Sequence, residues 1–301
     1  GKVICAWVGL ISGKEKKVIV QSGKEQREID FTEEPLSEEQ LTNAIVRVTR
    51  RIRRAYFLIG HSENNIYEDG DAGFKVFDAM LAANNVISQR LMLGVQGKIP
   101  EDCDVLIVAG PRNHLTAKEE AIIQDYLKQG GDALFLIENV IVTTPDKPLT
   151  EDEKGKNPSL NNILNEWGIN VSDDIVVDLS SHASGDVGSP ATRNYLGNKG
   201  VVNDLDYTFF VRPRSISMTK DRRPSLKIAP MILTASSGDS WGETNRMLQV
   251  KFDEGIDRAG PVPIAFAIWE AKGEGEPSDT RIIVITDADF LTNAFIGQYS
   301  N

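Results

Sequence analysis

The sequence predicts an α/β protein: a mainly parallel, doubly wound sheet preceded by a β-rich lead-in. Three observations carry this. Four short apolar runs, Ala55–Gly60, Asp104–Ala109, Ala133–Ile137 and Arg281–Thr286, are each bounded by turn or cap signals, as fully buried strands are. Segments with helical spacing alternate with the first three of them. Residues 99–137 also read as one strand–helix–strand unit, "IPEDCDVLIVAG", "AKEEAIIQDYLKQ" and "ALFLI", with Gly130-Gly131 ending the helix.

The elements follow in order. The opening "GKVICAWVGLISGK" places a lysine, an apolar run and Ser12-Gly13 in the order of a signal peptide. Its strand formers, the turn residues "SGKEKK" and the returning "VIVQ" favour a β-hairpin instead. In "PLSEEQLTNAIVRVTRRI", Ser37 and Gln40 form a capping box, and Leu41, Ala44, Ile45, Val48 and Ile52 keep helical spacing. The basic run "RVTRRIRR" (47–54) reads as the solvated end of that helix, where cations suit the dipole. "AYFLIG" is a buried strand. "GFKVFDAMLAANN" (73–85) is a helix ending in asparagines, which tolerate a left-handed C-terminus, and "VISQRLML" (86–93) is the next strand. Thr116 and Glu119 make a second capping box, with Ala121, Ile122, Tyr126 and Leu127 expected to face inward.

Residues 142–158 are polar and proline-bearing, so they read as a loop. The helix "SLNNILNEWG" follows, with Pro158 in its first turn and Gly168 as its stop. Residues 173–179 are a strand, and 180–204, rich in Ser, Gly and Asn, form a long surface loop. Strands are expected at 207–218, 228–236, 262–270 and 281–286, with a polar stretch at 237–260 that carries Trp241. There is no internal repeat. The domain reading is a lead-in over 1–36 and an α/β domain over 37–301.

Composition narrows the function. The 301 residues are 41% apolar and 26% charged, ordinary for a soluble globular chain large enough for a sizeable core. A net charge of -11 argues against nucleic acid as a partner. No stretch reaches the roughly 18 apolar residues of a membrane span. Cys5 and Cys103 form no metal motif; both flank strand-like runs and read as buried free thiols, and two cysteines do not fix the compartment.

In open α/β sheets, ligands sit beyond the carboxyl ends of the strands. That rule selects Gly60, His61 and Glu63; Gly110, Pro111 and Arg112; Glu138 and Asn139; and Thr286, Asp287 and Asp289. Each has a plainer alternative. His61 serves equally to close its loop by hydrogen bonds, and Glu63 as a solvated carboxylate. Asp287 and Asp289 offer two oxygens to a divalent cation, or one of them caps a helix starting near Phe290. One D-x-D after a strand is a weak signal, and no metal is assigned. His61, Glu63, Asp287, Asp289 and Asn293 are expected to converge on one rim, because parallel strands end on the same edge and Asn293 lies four residues beyond Asp289. Their expected role is to hold the loops, with ligand binding second. Cysteine-nucleophile and nucleotide chemistry find no support: G-x-C-x-G, G-x-x-x-x-G-K-[ST] and G-x-G-x-x-G are absent, and G-x-S-x-G occurs once, at 238–242, in the polar stretch and not after any of the four buried runs.

Five motifs occur in a fixed order: "YFLIGHSE", "IPEDCDVLIVAGP" with "LTAKEEAIIQDYLKQGGDALFLIE", "LNNILNEWGINVSDDIVVD" and "RIIVITDADFLTN". As a set they resemble the extracytoplasmic domain of GldG-like, gliding-motility-type auxiliary components of ABC transport systems, a domain related to one in an intraflagellar transport subunit. The resemblance covers about 37–301, and "TASSGDSWGE" matches a Ser-Trp segment of the family. At the first motif the family has Gly-His-Gly-Glu; here Ser62 replaces the second glycine. The histidine-containing middle segment of the family is not evident at "NYLGNKGVVNDL". The resemblance implies a scaffold like class I glutamine amidotransferases and trehalose-utilisation-type proteins. Where their nucleophile elbow follows a strand, this chain has Ile137-Glu138-Asn139. It therefore implies a non-enzymatic module without cofactors. The module would lie at the extracytoplasmic (periplasmic) face of the cytoplasmic membrane, anchored by membrane helices absent from this stretch, with an ABC permease and ATPase as partners. The alternative is a carbohydrate- or glycan-binding module using the polar rim and Trp241 as a stacking platform. A hydrolase built on His61 and a carboxylate, or a metal at Asp287 and Asp289, comes third.

Overall fold

The computed structural model describes residues 4–11, 15–22, 25–32, 35–49, 51–139, 150–154, 156–197, 205–245, 250–271 and 279–298. The chain divides into two compact units, Gly1–Arg53 with Ala79–Ile87, and Arg54–Asp78 with Ser88–Asn301.

The first unit contains an antiparallel three-stranded sheet in the order β1-β2-β3: β1 (Ile4–Ile11), β2 (Glu15–Ser22) and β3 (Glu25–Asp30). The expected hairpin is therefore present, and a third strand extends it. Helix α1 (Glu38–Thr49) packs on this sheet: Val18 and Val20 bury against Ala44 and Val48. Its capping box forms as expected. The Ser37 amide donates to Gln40 Oε1 at 3.0 Å, and the Gln40 amide donates to Ser37 Oγ at 3.1 Å. The basic run does not all belong to the helix, because Arg53 and Arg54 open the next strand.

That strand is β4 (Arg53–Leu58), followed by α2 (Lys75–Ala83), β5 (Val86–Leu91), α3 (Leu93–Gln96), β6 (Val105–Ala109), α4 (Ala117–Lys128) and β7 (Ala133–Leu136). Next come α5 (Glu151–Lys154), α6 (Asn161–Leu164), β8 (Ile169–Val171), β9 (Ile175–Asp178), β10 (Ala191–Thr192), β11 (Asn194–Tyr195), β12 (Thr208–Phe209) and β13 (Ile216–Met218). The chain continues through β14 (Leu226–Leu233), β15 (Ser240–Glu243), β16 (Arg258–Ala259), β17 (Pro263–Glu270) and β18 (Thr280–Ile285).

The main sheet has eight strands in the order β11-β14-β17-β18-β7-β6-β4-β5. It is mixed rather than mainly parallel. β18, β7, β6 and β4 pair in parallel, whereas β11–β14, β14–β17 and β17–β18 are antiparallel. The reason is topological. Residues 271–279 are too few for a parallel crossover, which takes about a dozen residues or more, so β17 and β18 must run in opposite directions. All four runs singled out in the sequence are strands.

Other expectations are corrected in detail. The run at 207–218 is broken into β12 and β13. The expected loop 180–204 contains β10 and β11, and the polar stretch 237–260 contains β15 and β16; residues 198–204 and 246–249 lie outside the described ones. On α4 the buried positions are Glu119, Ile123, Gln124 and Leu127, while Ala121 is exposed. Gln124 is tolerated inside because its amide is fully used. Its Oε1 accepts from the Trp167 indole at 3.1 Å, and its Nε2 donates to the Ile163 carbonyl at 3.1 Å. Trp167, Phe135, Leu106, Ile123 and Leu127 form the centre of the largest core cluster. Gly168, in the left-handed conformation at φ +84°, ends the 3-10 turn after α6. Among the described residues, no helix is long and apolar enough to cross a membrane.

Candidate functional site

The parallel strands β4, β6, β7 and β18 lie side by side, so their carboxyl ends open on one edge. The turns that follow them, at 59–63, 110–113, 137–139 and 286–289, are therefore neighbours in that order.

The first turn is held by charge-assisted hydrogen bonds. Gly60 and Ser62 both have positive φ, +125° and +63°. Ser62 thus keeps the left-handed geometry that the family glycine implies, at the steric cost of a side chain there. This geometry folds Glu63 back onto His61. The His61 amide donates to Glu63 Oε2 at 2.7 Å, and the ring Nδ1 lies 3.1 Å from Glu63 Oε1. On the other side the ring Nε2 lies 3.2 Å from Glu119 Oε2. A ring flanked by an acceptor at each nitrogen donates to both only when doubly protonated. Glu119 is also the capping-box residue of α4: it accepts from the Thr116 amide at 2.9 Å and hydroxyl at 2.7 Å. Burial works to raise the Glu119 pKa, but the Thr116 hydrogen bonds and His61 outweigh it and hold the carboxyl below its ordinary value. The His61 carbonyl accepts from the Arg112 and Asn113 amides at 2.8 and 3.2 Å, tying this turn to the one after β6.

A second cluster forms where β7 and β18 end. Glu138, Asp287 and Asp289 bring one carboxylate oxygen each to within 4.8 Å of one another. Asp287 is wholly buried; its Oδ2 accepts from the Val211 amide and its Oδ1 from the Asp289 amide, both at 2.8 Å. Burial pushes Glu138 up to about 8, with the Asp289 carboxylate adding to the effect. Burial also raises Asp287 well above the usual range, reinforced by Glu138 and Asp289. Asp289 is raised by burial, against the pull of Arg112 and Arg212. Gly110, at φ +64°, separates this cluster from the first turn. A Cβ there would lie 2.5 Å from Asn64 Oδ1, 3.1 Å from Ala288 Cβ and 3.5 Å from Glu138 Cβ.

The remaining candidates stand apart. Asp289–Leu291 is a 3-10 turn rather than the start of a helix, so Asn293 does not share a helical face with Asp289. Asn293 instead clasps the loop before α2. Its Oδ1 accepts from the Val76 amide at 2.9 Å, and its Nδ2 donates to the Glu68 and Gly70 carbonyls at 2.9 and 2.8 Å. Trp241 lies on β15, in the small sheet β16-β15-β9, and is 5% exposed. Its indole donates to Glu243 Oε2 at 3.0 Å, and its ring meets Phe252 edge to face. The five rim residues thus form a histidine clamp, a carboxylate cluster and a loop clasp on one edge. Glu119 and Glu138, which complete the first two, carry only a helix-cap signal and a strand-end position in the sequence.

The chemistry available is acid–base and electrostatic. Among the described residues no histidine ring is hydrogen-bonded to a serine, threonine or cysteine side chain. Cys103 is a free thiol before β6, at the opposite edge. Its Sγ lies 3.5 Å from the Tyr126 hydroxyl, and burial pushes the thiol up to about 11, which keeps it protonated and inert. The Cys5 side chain lies outside the described residues.

Residues 54–196, a little under half of the chain, match the model of a family described as an ABC-type uncharacterized transport system, auxiliary component. The match spans β4 to β11, and so includes the turns after β4, β6 and β7. Among solved structures, the mmIFT52 N-terminal domain aligns at a TM-score of 0.54 and 17% identity, over 81% of this chain and 91% of that one. At that identity the likeness concerns the fold alone. A ThuA-like protein from Bacteroides uniformis ATCC 8492 aligns at a TM-score of 0.40 and 10% identity, over 82% of this chain and 86% of that one. No curated protein sequence matches the chain.

Proposed function

We propose that this chain is a non-enzymatic accessory module of an ABC transport system, acting through protein–protein contacts with the permease and ATPase at the extracytoplasmic face of the membrane. The observation that supports this most directly is the match of residues 54–196 to the auxiliary family. The site supports it chemically. On an amidotransferase-like scaffold the nucleophile would follow β7, and that turn carries Glu138 and Asn139, both buried. The His61 ring, the natural base on this edge, is held between two carboxylates rather than beside a hydroxyl or thiol. A glycan platform gains no support from Trp241, whose ring is packed inside.

The test is co-purification from native membranes. Using the protein at its natural length, solubilised in mild detergent, the expected result is a permease and an ATPase eluting together with it. An eluate lacking both overturns the reading. So does turnover of glutamine or of an acyl ester by the purified chain that is lost on Glu138→Gln.

A further inference from the structure

We propose that Glu138, Asp287 and Asp289 form a binding site for a hard divalent cation, Mg²⁺ or Ca²⁺, at the carboxyl edge of the main sheet. This goes beyond the transport reading and does not rest on it.

The geometry is the first support. Three carboxylates from two neighbouring parallel strand ends converge so that one oxygen of each lies within 4.8 Å of the others. That spacing suits a single ion contacted by all three. The second support is independent of the cluster's acidity. Glu138 is only 4% exposed, and its Oε2 is buried without a hydrogen-bond partner. Its Oε1 accepts from the Asn139 amide at 3.0 Å, so Oε2 is the oxygen left for the cluster. A buried carboxylate oxygen facing two further carboxylates is strongly unfavourable unless a cation or a proton joins them. Asn64 Oδ1 is another buried oxygen without a partner, and it lies beside Gly110, as Glu138 Cβ does.

Nearby cations do not complete the site. Arg112 and Arg212 are close enough to act on Asp289, but among the described residues no salt bridge joins either to the three carboxylates; Arg212 pairs with Asp186. Asp287 satisfies the Val211 and Asp289 amides with one lone pair on each oxygen, leaving the others for a metal. The donors are all oxygen. His61 is engaged by Glu63 and Glu119, and Cys103 lies at the other edge, so the set selects Mg²⁺ or Ca²⁺ over zinc or copper. Asp289 is the least buried member, and on its side water would fill the remaining coordination positions.

Bound there, the ion would join two turns. The turns at 137–139 and 286–289 are already tied to 211–214: Asp287 accepts from the Val211 amide, Asn139 donates to the Arg212 carbonyl, and Thr286 donates to the Arg214 carbonyl. The surface that this edge presents would then depend on cation concentration.

Thermal unfolding of the chelator-treated chain, titrated with Mg²⁺ and separately with Ca²⁺, tests the proposal. The expected result is a saturating rise in Tm with at least one of them, half-complete near or below about 1 mM. Glu138→Gln and Asp289→Asn should each weaken that response by about tenfold or more. Glu138→Gln keeps the acceptor for the Asn139 amide, so it should fold, and its melt without metal should equal or exceed that of the unaltered chain. Three outcomes overturn the proposal: no saturable shift with either ion; the same shift in both variants, which places the binding elsewhere; or a Glu138→Gln variant that is stabilised while the unaltered chain ignores both ions, which makes the cluster proton-held.

Discussion

Replacing Gly110 by alanine should destabilise the larger unit by about 2–5 kcal/mol, of which the left-handed backbone contributes roughly 1–2 and the forced contacts roughly 1–3. The backbone contribution follows from φ +64°, which alanine adopts at a cost. The contact contribution follows from the added methyl. It would lie 2.5 Å from Asn64 Oδ1 and 3.1 Å from Ala288 Cβ, so the Asn64 amide must move and its hydrogen bond to the Ala72 carbonyl must stretch. Gly97 supplies the control. It has nearly the same φ, +67°, but its added methyl meets nothing within 4 Å. Gly97→Ala should therefore cost only the backbone contribution, about 1–2 kcal/mol. Urea unfolding followed by tryptophan fluorescence measures the difference, because Trp167, Trp241 and Trp269 all lie in the unit that holds Gly110. If Gly110→Ala costs no more than Gly97→Ala, the close meeting of the turns after β4, β6 and β18 at Gly110 is refuted.

The remaining predictions concern the clamp and the thiol. His61→Ala removes the ring contacts to Glu63 and Glu119 and should lower stability by about 1–3 kcal/mol in the same assay; an unchanged or raised midpoint would show that the ring does not hold the loop. Thr116→Ala should cost about 1 kcal/mol at neutral pH through the lost cap. Because the folded pKa of Glu119 is held below its unfolded value, its stabilisation is present above the unfolded value, near 4.3, and lost as pH falls through the folded one. The gap between Thr116→Ala and the unaltered chain should therefore narrow in acid, and a gap independent of pH between 7 and about 3 would contradict that coupling. Cys103, raised to about 11, should resist iodoacetamide at pH 8 in the folded chain and react once the chain is unfolded in urea, as read by peptide mass spectrometry; equal labelling in both states would contradict its burial.

What the sequence alone determined is local. The four buried strands are legible because a short apolar run between turn signals has few other ways to bury itself. Both capping boxes are legible because donor and acceptor sit three residues apart. Gly168 is legible because a left-handed helix end favours glycine. The antiparallel direction of β17 and β18 was also readable, from nine connecting residues, though an apolar run by itself carries no direction. The rest was decided by tertiary structure. Trp241 is packed in a small sheet because its partners Val177 and Ala259 come from distant segments. Ala121, expected inside, is exposed and Ile123 is buried because the face that α4 buries is set by what it meets, here Trp167 through Gln124. The rim separates into clamp, cluster and clasp for the same reason. Strand direction places polar residues on one edge, but strand order and the turn at each end decide which of them touch. In the sequence Glu119 is only a helix cap and Glu138 only a strand end. They become a histidine partner and a third carboxylate because β4, β6, β7 and β18 stand side by side.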